Sequence, residues 1–181
     1  SEDEVNKYRN LYNLSGKKVI LQVGSVYENK GQARCVEMLA PVLRNHTDVV
    51  YAYAGGIVSQ EYKDSVDRTA KNCGVSDKVI YLGSFAPGEE MNGIYNLADV
   101  TVFASEYEGF PLVCAESLSA GVPVAHSVTP QSMSMTKGIT AAINSCTSIP
   151  FEVFNGGASA MWDLDPTIVS NETVAALFTT F

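Results

Sequence analysis

The sequence predicts an α/β domain built on a doubly wound parallel sheet, and three observations carry that expectation. Short runs rich in Val, Ile and Tyr alternate with amphipathic helical stretches between Lys18 and His126. The runs are apolar almost throughout rather than at every second position, as strands covered on both faces are. The first two end on Gly24 and Gly55-Gly56, loops from which a helical pattern then starts. Strands alternating with helices in this way form right-handed βαβ units with helices on both faces of one sheet.

Each element has its own justification. Lys18–Val23 (KVILQV), between Gly16 and Gly24, reads as the first buried strand. Over residues 31–43, Val36, Leu39, Ala40 and Leu43 recur at i, i+3, i+4 and i+7, which places one buried stripe on a helix. Val49–Ala54 is the second strand. Tyr62, Val66, Thr69, Ala70 and Cys73 then mark an amphipathic helix stopped by Gly74. The alternation continues as strand 79–82, short helix 89–97, strand 100–104, helix 111–120 and, after Gly121, strand 122–126. Beyond Ser127 the rhythm breaks: 128–157 is rich in Ser, Thr, Asn and Gly, with one weak helical stretch at 139–143. Ala160-Met161-Trp162 fits a last short strand, and Ser170 or Asn171 fits the cap of a helix over 172–181 that stops without a terminator.

Composition narrows the function classes. With 181 residues the chain has the length of one ordinary domain, and 46% hydrophobic against 18% charged residues is the balance of a folded globule. Twelve Lys+Arg against 20 Asp+Glu leave a net charge of −8, which argues against nucleic acid as a partner, because backbone affinity comes from Lys and Arg. Cys35, Cys73, Cys114 and Cys146 form no C-x-x-C pair and have no His cluster nearby. They are expected to be reduced thiols, and no metal site is expected. Reduced thiols and an N-terminus without a basic start and apolar run point to a cytoplasmic setting. The longest nearly apolar stretch, 49–58, is about ten residues, half of what a membrane span needs.

In doubly wound sheets ligands bind beyond the carboxyl ends of the strands, so the strand-to-helix loops hold the chemistry. The first, Gly24-Ser25-Val26-Tyr27-Glu28-Asn29-Lys30-Gly31, sets Lys30 just ahead of a helix N-terminus, where orphan N–H groups already favour an anion. Lys30 reads either as a phosphate ligand or as a solvated loop lysine. In the second, Ala104-Ser105-Glu106-Tyr107-Glu108-Gly109-Phe110-Pro111, Gly109 allows close backbone approach and Pro111 suits a first helical turn. The N–H groups of Gly109 and Phe110, and those from Leu112 onward, can face an anion. Glu108 and Glu116 can border one cavity as two acceptors beside an anion site, which suits a polyhydroxylated phosphate ester, or be ordinary surface glutamates. The third loop, 83–88, offers backbone groups and the ring of Phe85 to a base, and on its own reads as a turn.

Several motifs are missing. There is no G-x-G-x-x-G after the first strand, no G-x-x-x-x-G-K-[ST] and no G-x-S-x-G, which disfavours a dinucleotide dehydrogenase, a P-loop NTPase and an α/β-hydrolase. His46 and His126 have no visible partner for nucleophilic catalysis, although His126, at a strand end, could line the pocket.

Taken together, residues 17–124 resemble the nucleotide-sugar-binding, C-terminal lobe of GT-B glycosyltransferases of the family 4 (group 1) kind. The distinctive piece is Glu108-Gly109-Phe110-Pro111-Leu112-Val113-Cys114-Ala115-Glu116, similar to the family's E-x7-E signature, followed by Gly121-Val122-Pro123-Val124. Val23-Gly24, Asn29-Lys30-Gly31 and Val79-Ile80-Tyr81-Leu82-Gly83 stand in the family's order, with a fainter echo at Trp162-Asp163-Leu164-Asp165-Pro166.

The resemblance implies a Rossmann-like lobe and metal-independent, retaining transfer of a sugar from a UDP- or GDP-sugar, without a cofactor. Glu108 would hold donor-sugar hydroxyls, Gly109 and Phe110 would offer amides to sugar and phosphate, and Glu116 would accept from the ribose. Lys30 would neutralise the departing diphosphate. Gly24 and Ser25, with Pro111 and Leu112, would complete the donor site, and Phe85 would lie where main-chain groups hold the base.

It also implies an N-terminal acceptor lobe, which alone would decide any membrane association. On that reading 1–13 is a residual linker and 14–181 a single donor domain cut short at its C-terminus. Two positions depart from the family pattern. Ser25 stands where an arginine usually partners the lysine, and 128–135 replaces a Gly-Gly turn leading to a Glu. They leave open a second expectation, a lobe that binds or scaffolds without catalysing.

Overall fold

The computed structural model describes residues 2–106 and 112–126. In chain order the elements are helix α1 (Glu2–Leu11), strand β1 (Lys18–Val23), a 3-10 turn (Glu28–Lys30), α2 (Gln32–Asn45), β2 (Val49–Ala54), α3 (Gln60–Asn72), a second 3-10 turn (Ser76–Lys78), β3 (Val79–Gly83), α4 (Glu89–Tyr95), β4 (Val100–Phe103), α5 (Leu112–Ser119) and β5 (Val124–His126). The five strands form one sheet in the order β3-β2-β1-β4-β5, parallel at every pairing. The doubly wound expectation therefore holds, with strand and helix ends within a few residues of those read from the sequence.

Alternation along the strands splits the apolar residues between two cores. Ile20, Val49, Tyr51 and Tyr53 pack with Val36, Leu39 and Leu43 of α2 and with Tyr62 and Val66 of α3. Val19, Leu21, Val50, Ala52 and Ala54 pack on the opposite face with Tyr8 and Leu14, and with Ile94 and Tyr95 of α4. Both faces are covered, which is why β1 and β2 read as continuous apolar runs rather than alternating ones. Caps follow their chemistry. The Ser59 hydroxyl accepts from the Tyr62 amide to start α3, and Gly74, at φ 68°, closes it. The cysteines within the described residues, Cys35, Cys73 and Cys114, are not disulfide-bonded.

The stretch 1–13, which the resemblance implied to be a residual linker, contains α1, and α1 is packed into the domain. Tyr8 is 4% exposed and meets Phe85 edge-on at 5.6 Å. Arg9 donates to the carbonyls of Leu14, Lys17 and Leu97, tying the end of α1 to the entry of β1 and the exit of α4. Gly93 lets α1 approach α4, since a Cβ there would lie 2.9 Å from Glu4 Cγ and 3.0 Å from the Tyr8 ring. Only a thin stripe of α1 is buried, so its composition conceals the contact. The expected elements at 139–143, 160–162 and 172–181, the segment 128–157 and Cys146 lie outside the described residues.

If α1 belongs to the folded unit, Tyr8→Ala should lower stability by about 3 kcal/mol through the cavity it leaves. Chemical denaturation checks this, and a loss under about 0.5 kcal/mol would make α1 an appendage.

Candidate functional site at the switch point of the sheet

The chain runs outward from β1 through α2 to β2 and β3 on one side, then crosses to β4 and β5 on the other. The connections leaving β1 and β4 thus diverge at their carboxyl ends, and the crevice between them is where such a sheet binds its ligand. The loops bordering it are the two that the sequence singles out.

The first loop is held by backbone. Its pairing continues past the strands: Gly24 N–H donates to Ala54 O at 2.9 Å and Val26 N–H to Gly56 O at 2.8 Å, while the Val58 and Ser59 amides donate back to Val26 O. Gly55 makes this closeness possible, since at φ 148° a Cβ on it would sit 2.1 Å from Gly24 O and 2.5 Å from Gly24 C. Gly55 N–H donates in turn to Gly83 O, and the Tyr81 hydroxyl to Gly55 O. Glycines with positive φ therefore close β1, β2 and β3 alike, at Gly24, Gly55 and Gly83.

Lys30 ends the 3-10 turn Glu28–Lys30, whose Lys30 and Gly31 amides donate to Tyr27 O and Glu28 O. Its stem runs alongside Gly24, where an added Cβ would touch Lys30 Cδ at 3.5 Å. Gly31 is buried at φ 69°, and a side chain there would meet Ala104 O at 2.8 Å, so the turn sits directly on the exit of β4. Two further bonds clip it to the second loop. Glu106 N–H donates to Asn29 O at 2.9 Å, and Arg34 Nη1 pairs with Glu106 Oε1 at 3.0 Å. That ion pair is half-exposed and contributes little energy by itself; the amide bond is what sets the register of the two loops. Ser25 is half-buried, and its carbonyl accepts from Gln32 Nε2 at 3.0 Å.

Beyond Glu106 the residues Glu108, Gly109, Phe110 and Pro111 lie outside the described residues, so the structure resumes at Leu112, the exposed first residue of α5. Glu116 lies on α5 with its residue exposed, and the Tyr95 hydroxyl donates to its Oε2 at 2.7 Å. Burial first, and then this bond, raise the Tyr95 pKa well above its ordinary value, so the phenol stays a donor. Ser117, on the same helix, donates to Thr101 Oγ1 and anchors α5 on β4. The Phe85 ring is engaged with Tyr8, which leaves the main chain of its loop as the part open to a ligand. Three buried polar atoms lack a hydrogen-bond partner among the described residues: Gln32 Oε1, Arg34 Nε and Ser105 Oγ. All three belong to segments bordering the crevice, where unpaired buried polar atoms would otherwise be costly. Gln32 and Ser105 escape sequence reading because nothing local marks a polar side chain as buried. Among the described residues no three His, Cys, Asp or Glu side chains gather into a cation site, and no helix is long and apolar enough to cross a membrane.

A five-stranded parallel sheet with its loops converging on this switch point is the Rossmann-like architecture of one GT-B lobe. The sequence profile described as glycosyl transferases, group 1, matches residues 5–137, and the chain belongs to that family. It is 30% identical over 123 residues to an uncharacterized glycosyltransferase of Methanocaldococcus jannaschii, covering 68% of this chain and 30% of that protein. It is 28% identical over 123 residues to a GDP-mannose-dependent phosphatidylinositol monomannoside mannosyltransferase of Mycobacterium tuberculosis, covering 64% of this chain and 31% of that protein. The chain thus spans about three tenths of the length of these curated relatives. Among solved structures, Anabaena HepE in complex with UDP and glucose superposes with a TM-score of 0.66 at 18% identity, covering all of this chain and 53% of that one. The C-terminal domain of the group 1 protein LpcC of Francisella tularensis does so at 0.60 and 18%, covering 80% and 84%.

Three substitutions at two positions test this geometry. Gly55→Ala should cost about 2 to 4 kcal/mol in thermal denaturation, because the contact is with backbone and no side chain can move aside. Tyr95→Phe should cost about 1 kcal/mol, the net worth of one hydrogen bond, against about 3 to 4 kcal/mol for Tyr95→Ala, which also empties part of the core. Equal losses from both Tyr95 variants would contradict this division.

Proposed function

We propose that this chain is the donor-binding lobe of a retaining glycosyltransferase that moves a sugar from a UDP- or GDP-sugar to an acceptor, without a metal ion. The observation that carries the reading is the Lys30 turn, seated at the switch point and clipped to the loop leading to Glu108. Membership of the group 1 family supports it, as do a GDP-mannose-dependent relative in Mycobacterium tuberculosis and the complex of HepE with UDP and glucose.

In this reading the reaction breaks the bond between the anomeric carbon and the diphosphate. Negative charge grows on the departing diphosphate, and a preplaced lysine ammonium lowers the barrier by stabilising it. Lys30 has that role. Glu108 holds sugar hydroxyls beside the anomeric carbon, and the amides of Gly109 and Phe110, with Gly24, Ser25, Pro111 and Leu112 around them, cradle sugar and phosphate. Glu116, steadied by Tyr95, accepts from the ribose. The main chain around Phe85 receives the base. An N-terminal lobe supplies the acceptor, so this chain alone binds donor without turning it over, in a cytoplasmic setting.

Ser25 favours a second reading, a lobe that binds or scaffolds without catalysis, because a neutral hydroxyl replaces the guanidinium fork that suits phosphate. Calorimetric titration with UDP, GDP and their sugars should show dissociation constants of about 1 mM or tighter for one nucleotide series. No binding to any of them would overturn donor recognition. Ser25→Arg separates the two readings: a catalytic lobe gains diphosphate affinity, and a rebuilt one is indifferent.

A further inference from the structure

We propose that Gln22 is a positioning residue that sets the turn carrying Lys30, an inference that rests on the donor-binding reading above. Gln22 is 2% exposed within the otherwise apolar run Val19 to Val23, on the sheet face where Ile20 and Tyr51 pack under α2. A primary amide buried there is costly unless both its ends are paired. They are. Gln22 Nε2 donates to the carbonyl of Lys30 at 2.6 Å, and Oε1 accepts from the Tyr51 hydroxyl at 2.5 Å. The chemistry dictates this orientation: a carbonyl only accepts, so the NH2 must face Lys30, and the oxygen is left for the hydroxyl.

The chain of contacts extends further inward. Tyr51 is wholly buried on β2 and packs in one cluster with Cys35 of α2, whose thiol burial pushes up to about 12 and so keeps neutral. The last carbonyl of the turn is thereby referenced to β1, β2 and α2 together. The clamp adds to the turn's own two amide bonds and to the Glu106 amide on Asn29 O, and a three-residue 3-10 turn is a weak element by itself. The Lys30 stem starts at the residue whose carbonyl is clamped and runs back alongside Gly24, so a displaced carbonyl displaces the base of the side chain. Packing alone gives no reason for glutamine at 22, since Leu or Met would fill the volume; what they would lose is the partner of the Lys30 carbonyl and of the buried Tyr51 hydroxyl. The amide becomes intelligible as the part that fixes the turn.

Gln22→Met in this chain, followed by amide hydrogen exchange and nucleotide titration, tests the role. The Lys30 and Gly31 amides should exchange at least about tenfold faster, while those of β2 and α2 keep their protection. Affinity for UDP or GDP should fall about fivefold to tenfold, the worth of one lost hydrogen bond, with UMP or GMP affinity unchanged. That loss should vanish in a Lys30→Ala background. Unchanged exchange at Lys30 and Gly31, or an equal affinity loss with and without Lys30, overturns the proposal. Should Gln22→Met not fold, Tyr51→Phe removes only the supporting hydroxyl and should shift both readouts in the same direction by a smaller amount; no shift would count against the role. If the unmutated chain bound neither UDP nor GDP, the donor reading would fail, while the exchange rates would still decide whether Gln22 sets the turn.

Discussion

Parallel pairing of β1 with β2 on one side and β4 on the other is the constraint from which the rest of the molecule follows. The register Lys18↔Val49 through Val23↔Ala54 brings the ends of β1 and β2 level, and Ile20↔Val100 and Leu21↔Thr101 fix β4 against the opposite edge. Level ends bring the Gly24 carbonyl so close to residue 55 that no side chain fits there, so Gly55 occurs where it does. Crossing from β3 to β4 turns the gap beside β1 into a crevice rather than a closed edge.

The crevice is organised by backbone more than by side-chain charge. Lys30, Asn29 and Gly31 are placed by amide bonds to Tyr27, Glu106 and Glu28, with a buried glutamine holding the one carbonyl that these bonds do not reach. Side-chain ion pairs such as Arg34 with Glu106 lie at the rim, where solvent screens them. On the far side of β4, Tyr95 and Ser117 do for α5 what Gln22 does for the Lys30 turn, each linking a functional element to a buried partner. Rigid references of this kind suit a site that must hold a charged ligand without reorganising around it.

The acidic helix α1 occupies the stretch that the family resemblance implied to be linker. Ser1-Glu2-Asp3-Glu4 looks like solvated linker, yet Tyr8, Arg9 and Tyr12 turn inward, and the Tyr12 hydroxyl donates to the carbonyl of Leu82. Through Tyr8 the helix also reaches Phe85, in the loop expected to meet the base. So few inward residues give too weak a period for a sequence argument, and the decisive contacts come from residues 70 to 88 positions further along the chain.

Local rules were enough for the five strands and the helices between them, though not for α1. Apolar runs, the helical stripe of α2, the stop at Gly74 and the loop glycines each record a constraint between near neighbours, so they are legible in one dimension. The same holds for Lys30, Gly24 and Glu116 as candidates, because a lysine before a helix, a glycine after a strand and a glutamate in a helix's second turn are local facts. The tertiary structure alone decided that α1 joins the core, that Phe85 spends its ring on Tyr8, that Glu116 is steadied by Tyr95, and that Gln22 and Gln32 are buried and aimed at the first loop. Each of these depends on a partner brought near by strand order, and strand order is a property of the whole sheet rather than of any segment in it.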